Sequence, residues 1–404
     1  MTAPPTGAFD ASFLADPYAG WAALRRAAPV HRITLPDGAP VWLVTRYPDV
    51  RAGLADERLS LDKANGTGRW RGFSLPPALD ANLLNLDPPD HTRIRRLVGR
   101  AFTAARVARL RPRIEATADE LLDRVAPGGR ADLVADYAGP LPVTVICDLL
   151  GVPVADRSSL RGWTDRLLTP PADDPGAAGR ALGALHDFLI RLIADKRREP
   201  GDDLLSGMIA VRDDGDRLTE DELTSLAFLV LFAGYENSVH LIGTGLLALL
   251  RRPDLLADLR GPDGSAEGSL DSGLPEPVVE ELLRLEPPAP LAIRRFALVD
   301  LTIGGVTIPA GETVLLGIAA ANRDPDRFAE PDIVDPTRPV GGQLSLGHGI
   351  HYCLGAPLAR LEARTAIGAV LRRFPRVALA VDPAELTWRT SYRVRGLRAL
   401  PVTF

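Results

Sequence analysis

Residues Leu344 to Gly355 read LSLGHGIHYCLG. This stretch carries Cys353, one of the two cysteines in the chain, two residues after His351 and just ahead of Ala356-Pro357-Leu358. Proline in a first turn suits a helix start there. A thiolate is the reactive and ligating form of cysteine, and the free N–H groups and dipole at a helix N-terminus stabilise it. Gly347, Gly349 and Gly355 let the backbone turn tightly and approach a flat ligand. Such geometry suits a single axial sulfur ligand to haem iron. Two other readings of the same residues stay open. The loop is compatible with a purely structural turn around a buried cysteine, and His348, His351 and Cys353 with a zinc site. Zinc takes three or four protein ligands, however, and no second His/Cys cluster lies elsewhere in the sequence to complete one.

The composition sets the frame around that loop. The chain has 404 residues, 46% of them hydrophobic and 25% charged, with a net charge of −5. It is long enough to bury a cofactor, and its charge does not point to nucleic acid. No N-terminal segment reads as a signal peptide or anchor. The most apolar run, Leu223 to Tyr235, is shorter than the roughly 20 residues a bilayer span needs, so a cytoplasmic protein is expected. Cys147 lies in the apolar run VTVICDLLGVP and reads as a buried filler. Of the 47 Lys and Arg residues only Lys63 and Lys196 are lysine, a bias of genome composition more than of function.

Helical periodicity dominates. Residues 1–20 read as irregular, and APVWLVTRYPDV as a strand leading into a short helix. Helices are expected from DPPDHTRIRRLVGRAFT onward and near 107–125, 137–151, 157–168 and 177–198. Thr219 to Glu222 forms a capping box for a helix of about 30 residues, roughly 45 Å long, ended by Pro253. A further helix spans Pro275 to Leu285. LTIGGVTIPAGETVLLG alternates like a hairpin, 321–343 reads as an ordered meander, and a last helix runs from about Ala356 to Phe374. The fold class expected is mainly α with a smaller β region, in a single domain over 1–404.

Three further patterns bear on chemistry. His91 and Arg95 are four apart on one helix face. They suit a carboxylate pair held by charge-assisted bonds, or equally an arginine-rich surface helix. Glu281 and Arg284 are three apart and form an intrahelical pair of a common kind. In AGYENS, Ala233 to Ser238, the small Ala233 and Gly234 permit close approach of a planar ligand. Glu236 and Asn237 are costly to bury without partners; a structural kink is the alternative.

Taken together these residues resemble the cytochrome P-450 family of haem-thiolate monooxygenases, in its soluble bacterial branch, over nearly the whole chain. LGHGIHYCLG is similar to the family's haem loop Phe-Gly-x-Gly-x-His-x-Cys-x-Gly, ELLR to its Glu-x-x-Arg pair, HTRIR to its propionate-binding helix, and AGYEN to its oxygen-activating Ala-Gly-x-(Asp/Glu)-Thr. The resemblance implies the triangular helical prism, with haem b (iron protoporphyrin IX) between the long central helix and the Cys-loop helix. It implies Cys353 as axial ligand of the iron, with Leu346, Gly347, Gly349 and Gly355 in its loop. His91, Arg95, Arg295 and His351 would bind the propionates, with Arg294 the competitor of Arg295. Ala233 and Gly234 would form the oxygen groove beside Glu236 and Asn237. Glu281 and Arg284 would join the meander near Arg338 and support the Cys loop.

Two positions depart from the family pattern. Leu346 stands where Phe is usual, which removes an aromatic ring near the sulfur and alters its surroundings. Asn237 replaces the Thr whose hydroxyl serves the activated oxygen and the water that protonates it. An amide is a poor proton relay, and Ser238 points roughly 100° around the helix. Proton delivery would then depend on a substrate hydroxyl or on a water held by Glu236.

The activity implied is O2-dependent hydroxylation or epoxidation of a small organic substrate in secondary metabolism. The alternatives are oxidative coupling, desaturation or peroxide-driven oxidation, and a non-catalytic P-450-like binding protein. Electrons would come from NAD(P)H through a ferredoxin and its reductase to a monomer, docking at Arg93, Arg96, Arg100 and Arg360 or leaving those as an ordinary charged face. Substrate contacts would fall at about 60–86, 165–185, 228–232, 291–293 and 392–394. Leu229, Phe232, Leu291, Ala292 and Ile293 would be apolar, or core; Tyr392 would line the pocket, and Arg294 or Arg393 would meet a polar group.

Overall fold

In the computed structural model, which describes residues 9–67, 77–168, 173–174, 176–211, 216–260, 270–339 and 341–404, the longest element is the helix Glu220–Leu250 of 31 residues. Its start is the expected capping box: Thr219 N donates to Glu222 Oε2 at 2.8 Å, and Glu222 N to Thr219 Oγ1 at 3.2 Å. Glu220, Asp221 and Glu222 complement the positive end of the dipole. Pro253 opens the next helix, Pro253–Arg260. The apolar run Leu223–Tyr235 is therefore part of a helix long and apolar enough to cross a membrane, which corrects the length argument drawn from the run alone. What marks it as a core helix is burial, since 61% of its most apolar window lies inside the protein.

The chain forms two compact units that share this helix. The first comprises residues 1–73, 118–138 and 237–404, and holds the sheets. Its five-stranded sheet runs in the order Val30–Thr34, Pro40–Val44, Thr313–Leu316, Arg295–Ala297, Leu59–Ser60. Only the Pro40–Val44 and Thr313–Leu316 pair is parallel. Pro40–Val44 leads directly into the helix Tyr47–Ala55, and Val44, Val50, Leu54, Leu59, Val314 and Leu316 close one apolar core between them. The hairpin Leu301–Ile303/Val306–Ile308 turns on Gly304 and Gly305, both with positive φ. A three-stranded sheet joins Arg130–Asp132, Pro401–Thr403 and Ala378–Leu379. The helix Glu276–Leu285 and the final helix, Ala356–Arg373, pack on one another in this unit.

Residues 1–20 differ from expectation. Helices occupy Ala11–Ala15 and Pro17–Ala27, with Asp10 and Asp16 as side-chain caps. Helices of 5 and 11 residues are marginal alone. Here an aromatic cluster holds them, with Phe13 and Trp21 each edge-on at 5.2 Å and Phe9 on both.

The second unit, residues 74–117 and 139–236, is helical. Asp90–Ala101, Pro140–Leu150, Arg157–Leu168 and Ala177–Arg198 match the expected helices to within a few residues, and the short helix Leu204–Ala210 was not expected. Half-buried Lys196 pairs with buried Asp203 at 2.7 Å, and Asp203 also caps Ser206 N at 2.7 Å.

Candidate functional site

The Cys353 loop is shaped by two positions that only glycine fills easily. Gly347 and Gly349 have φ of 78° and 74°. A Cβ on Gly349 would lie 3.1 Å from Ala55 Cα and 3.3 Å from the Leu54 carbonyl, so the turn Gly349–His351 lies directly on the end of the Tyr47–Ala55 helix. Inside the loop Gly347 N donates to Leu344 O at 2.9 Å and Cys353 N to Leu346 O at 2.8 Å. The Ala356–Arg373 helix then starts with Gly355 as cap and Pro357 in its first turn. A Cβ on Gly355 would be 3.9 Å from Cys353 Sγ, which places the sulfur at that helix start. Cys353 is half-buried. Cys147 is fully buried in Pro140–Leu150, and burial pushes its thiol up to about 11, which makes it the inert filler expected.

Arg295 directs its guanidinium at the Leu54 and Leu59 carbonyls, each at 3.5 Å. Leu54 O is also the carbonyl that Gly349 approaches, so Arg295 and the Cys loop converge there. Arg294 immediately precedes the strand Arg295–Ala297, with its guanidinium 5.6 Å from the Phe296 ring centroid. His351 ends the Gly349–His351 turn and is half-buried. Desolvation, aided by Arg51, holds the neighbouring His348 below its usual pKa.

Glu281 and Arg284 are far from a solvated surface pair. Arg284 is 1% exposed and binds Glu281 through two bonds of 2.7 and 2.8 Å. Its remaining donors reach the carbonyls of Asn322, Pro331 and Ile333 at 3.1, 2.6 and 2.7 Å, and Glu281 accepts from Asp335 N and Arg338 Nε. These partners span the meander.

Ser238 and Glu362 form a contact the sequence did not announce. Ser238 Oγ donates to Glu362 Oε2 at 2.5 Å, and Glu362 Oε1 has no hydrogen-bond partner among the described residues. Burial raises this carboxyl to about 8, so it is protonated at neutral pH. Its only sequence signal was an acid on the same helical face as Leu358, Leu361 and Thr365. Asn237, one residue before Ser238, is exposed.

Of the remaining candidates in this unit, Leu291 is buried and Ile293 is 40% exposed, an apolar side chain open to a ligand. Tyr392 packs its ring 5.4 Å from Phe9 in the N-terminal aromatic core, and Arg393 folds onto the Tyr392 hydroxyl at 3.0 Å. Tyr392, expected in the substrate pocket, packs instead against the N-terminal aromatic core.

In the second unit His91 is buried and Arg95 half-buried on one face of Asp90–Ala101. Arg93, on another face, binds Glu222 and lies 3.5 Å from Asp216. Arg360, in the first unit, is bound to Glu280. Two of the four arginines considered for docking are thus already committed to carboxylates. Leu229, Phe232, Ala233, Gly234 and Glu236 are half-buried on the long helix. A Cβ on Gly234 would meet the Ile146 side chain at 2.6 Å, so this glycine also serves helix packing. Parts of the substrate segments at 60–86 and 165–185 lie outside the described residues.

The description "Cytochrome P450" is that of the family model matching residues 175–383. The cytochrome P450 monooxygenase PikC of Streptomyces venezuelae is 47% identical, covering 98% of this chain and 93% of its own. The vitamin D(3) 25-hydroxylase of Pseudonocardia autotrophica is 48% identical over 98% of this chain and 95% of its own. Among solved structures, the bacillaene polyketide synthase cytochrome P450 PksS of Bacillus subtilis 168 superposes with a TM-score of 0.89 at 37% identity, covering 100% of this chain and 99% of that one.

Proposed function

The chain belongs to the cytochrome P450 family and is a haem-thiolate monooxygenase, and from that premise we propose that Cys353 ligates the iron for oxygenation of a bulky, largely apolar secondary metabolite of the polyketide class. The observation that carries this reading is the Cys353 loop: a lone sulfur at a helix start, on a turn shaped by two positive-φ glycines. The donor set fits haem. Among the described residues no group of three or more His, Cys, Asp and Glu side chains is placed to hold a bare metal ion, so a metal bound at this sulfur brings its other ligands with it, as a porphyrin does.

Cys353 holds the iron and donates electron density to it. Arg295 and His351 bind propionate, and the family pattern carries the same role to His91 and Arg95. Bound haem supplies O2 binding and reductive activation. Haem held there would take its electrons from NAD(P)H through a ferredoxin and ferredoxin reductase. The protein's own share is positioning and proton supply. Proton supply would rest on a substrate hydroxyl or on a water held by Glu236, since Ser238 turns away from exposed Asn237 to the buried Glu362 carboxyl. Ile293, exposed and apolar, offers contact to substrate. The relatives' names include a hydroxylase of vitamin D(3) and a bacillaene polyketide P450, which supports a large apolar substrate.

The test is spectroscopic. The reduced protein is expected to give the haem-thiolate carbon monoxide band, and Cys353→Ala to lose it. A panel of polyketide lactones should then contain ligands that shift the ferric spin state, with oxygen from labelled O2 in the product. A pigment that keeps its band in Cys353→Ala refutes the assignment of the sulfur. Products free of label favour coupling, desaturation or peroxide chemistry instead.

A further inference from the structure

Glu280 and Glu281 are adjacent on the Glu276–Leu285 helix, and both are buried. They grip different segments. Glu281 and Arg284 hold the meander, as described above. Glu280 holds the Cys353 loop, from both ends. Its Oε2 accepts from Gln343 Nε2 at 3.1 Å, and Gln343 Oε1 in turn accepts from Ser345 N at 2.6 Å, on the limb entering the loop. Its Oε1 accepts from Arg360 Nε at 2.6 Å, and its Oε2 from Arg360 Nη2 at 3.3 Å. Arg360 Nη1 then donates to the Tyr352 hydroxyl at 3.0 Å, on the residue next to Cys353. One carboxylate therefore fastens the incoming limb through Gln343 and the outgoing limb through Arg360 and Tyr352.

The arrangement has an electrostatic consequence. Arg360 brings a full positive charge to the neighbour of the ligating sulfur. A cation beside a thiolate stabilises the anion and draws electron density from it. The ion pair with Glu280, whose side chain is 8% exposed, cancels most of that charge. Bonds to ionised groups are also the strong ones, so this carboxylate is suited to keep a loop with two positive-φ residues in one conformation.

We propose that Glu280 is a positioning residue for Cys353: it clamps both limbs of the loop and neutralises Arg360, and so sets the placement and donor strength of the sulfur. The proposal rests on the reading of Cys353 as haem ligand. It separates the two adjacent glutamates by task, with Glu281 serving the meander and Glu280 the loop.

The test compares haem-loaded parent, Glu280→Gln and Tyr352→Phe by reduction potential and by the lifetime of the thiolate-type carbon monoxide band in mild urea. Glu280→Gln leaves the Arg360 charge unbalanced, so its potential should rise. Its band should convert to the thiol-type form about tenfold faster, the rate equivalent of one lost charge-assisted hydrogen bond. Tyr352→Phe cuts only the outer limb and keeps the ion pair. Its band lifetime should shorten while its potential stays at the parent value. Parent-like potential and lifetime in Glu280→Gln overturn the proposal. If that variant does not fold, an unchanged band lifetime in Tyr352→Phe, whose side chain is 38% exposed, overturns the clamp. A merely structural Glu280 would lower the unfolding midpoint without moving the potential. Failure of the underlying reading looks different, because the parent protein would then lack the thiolate-type band altogether.

Discussion

Glu362 shows how a single residue acquires a property its type does not have. Its carboxyl is buried, its one hydrogen bond among the described residues comes from Ser238, and its pKa rises from 4.5 to about 8 through desolvation. The folded state thus retains a proton that the unfolded state releases above pH 4.5. Stability from this group falls as pH rises between those two values, by at most about 1.4 kcal/mol per unit. Glu362→Gln should flatten urea midpoints over that window and gain on the parent at its alkaline end. In the parent, coupling of NAD(P)H use to product should depend on a substrate hydroxyl or on a water held by Glu236. An Asn237→Thr variant that gains coupling with every substrate would instead mark Asn237 as a defect, with no substrate hydroxyl or Glu236-held water taking the place of the threonine.

At the scale of elements, the Glu276–Leu285 helix organises its surroundings through charged groups. Arg284 is almost fully buried and satisfies three carbonyls besides its carboxylate. Removing one partner of a buried pair strands the other, at a cost of about 3–5 kcal/mol. Arg284→Ala should lose that much in denaturant titration and should retain little haem after purification. Arg284→Lys should lose much of it as well, since an ammonium cannot reproduce the planar fork. The capping box at Thr219 is a smaller contribution. Thr219→Ala should cost about 1 kcal/mol and leave the carbon monoxide spectrum unchanged. These elements were legible to different degrees. The long helix showed its start and its stop in local residue types. The helices before residue 28 did not, because aromatic packing rather than periodicity holds them.

For the whole molecule, folding and ligand binding are coupled. A ligand that binds only the folded state adds RT ln(1 + [L]/Kd), about 2.7 kcal/mol at 100 Kd. A true substrate should therefore raise the unfolding temperature of the haem-loaded protein along with its spin shift, and a false one should do neither. In an uncharacterised substrate series this pairs a stability readout with the optical one.

What the sequence determined alone was everything that acts over a few residues: the Cys353 loop and its glycines, the Glu281–Arg284 spacing, the capping box, the helix carrying His91 and Arg95. Backbone sterics, capping and helical period operate at that range, so residue types record them directly. The tertiary structure decided which buried polar group meets which. It directed Arg295 at the carbonyls of Leu54 and Leu59, put Tyr392 against the aromatic core, gave Glu280 to Gln343 and Arg360, and joined Ser238 to Glu362 across 124 residues of chain. Such pairings depend on shared burial, where an unmet charge or donor is most costly, and burial belongs to the folded assembly of distant segments.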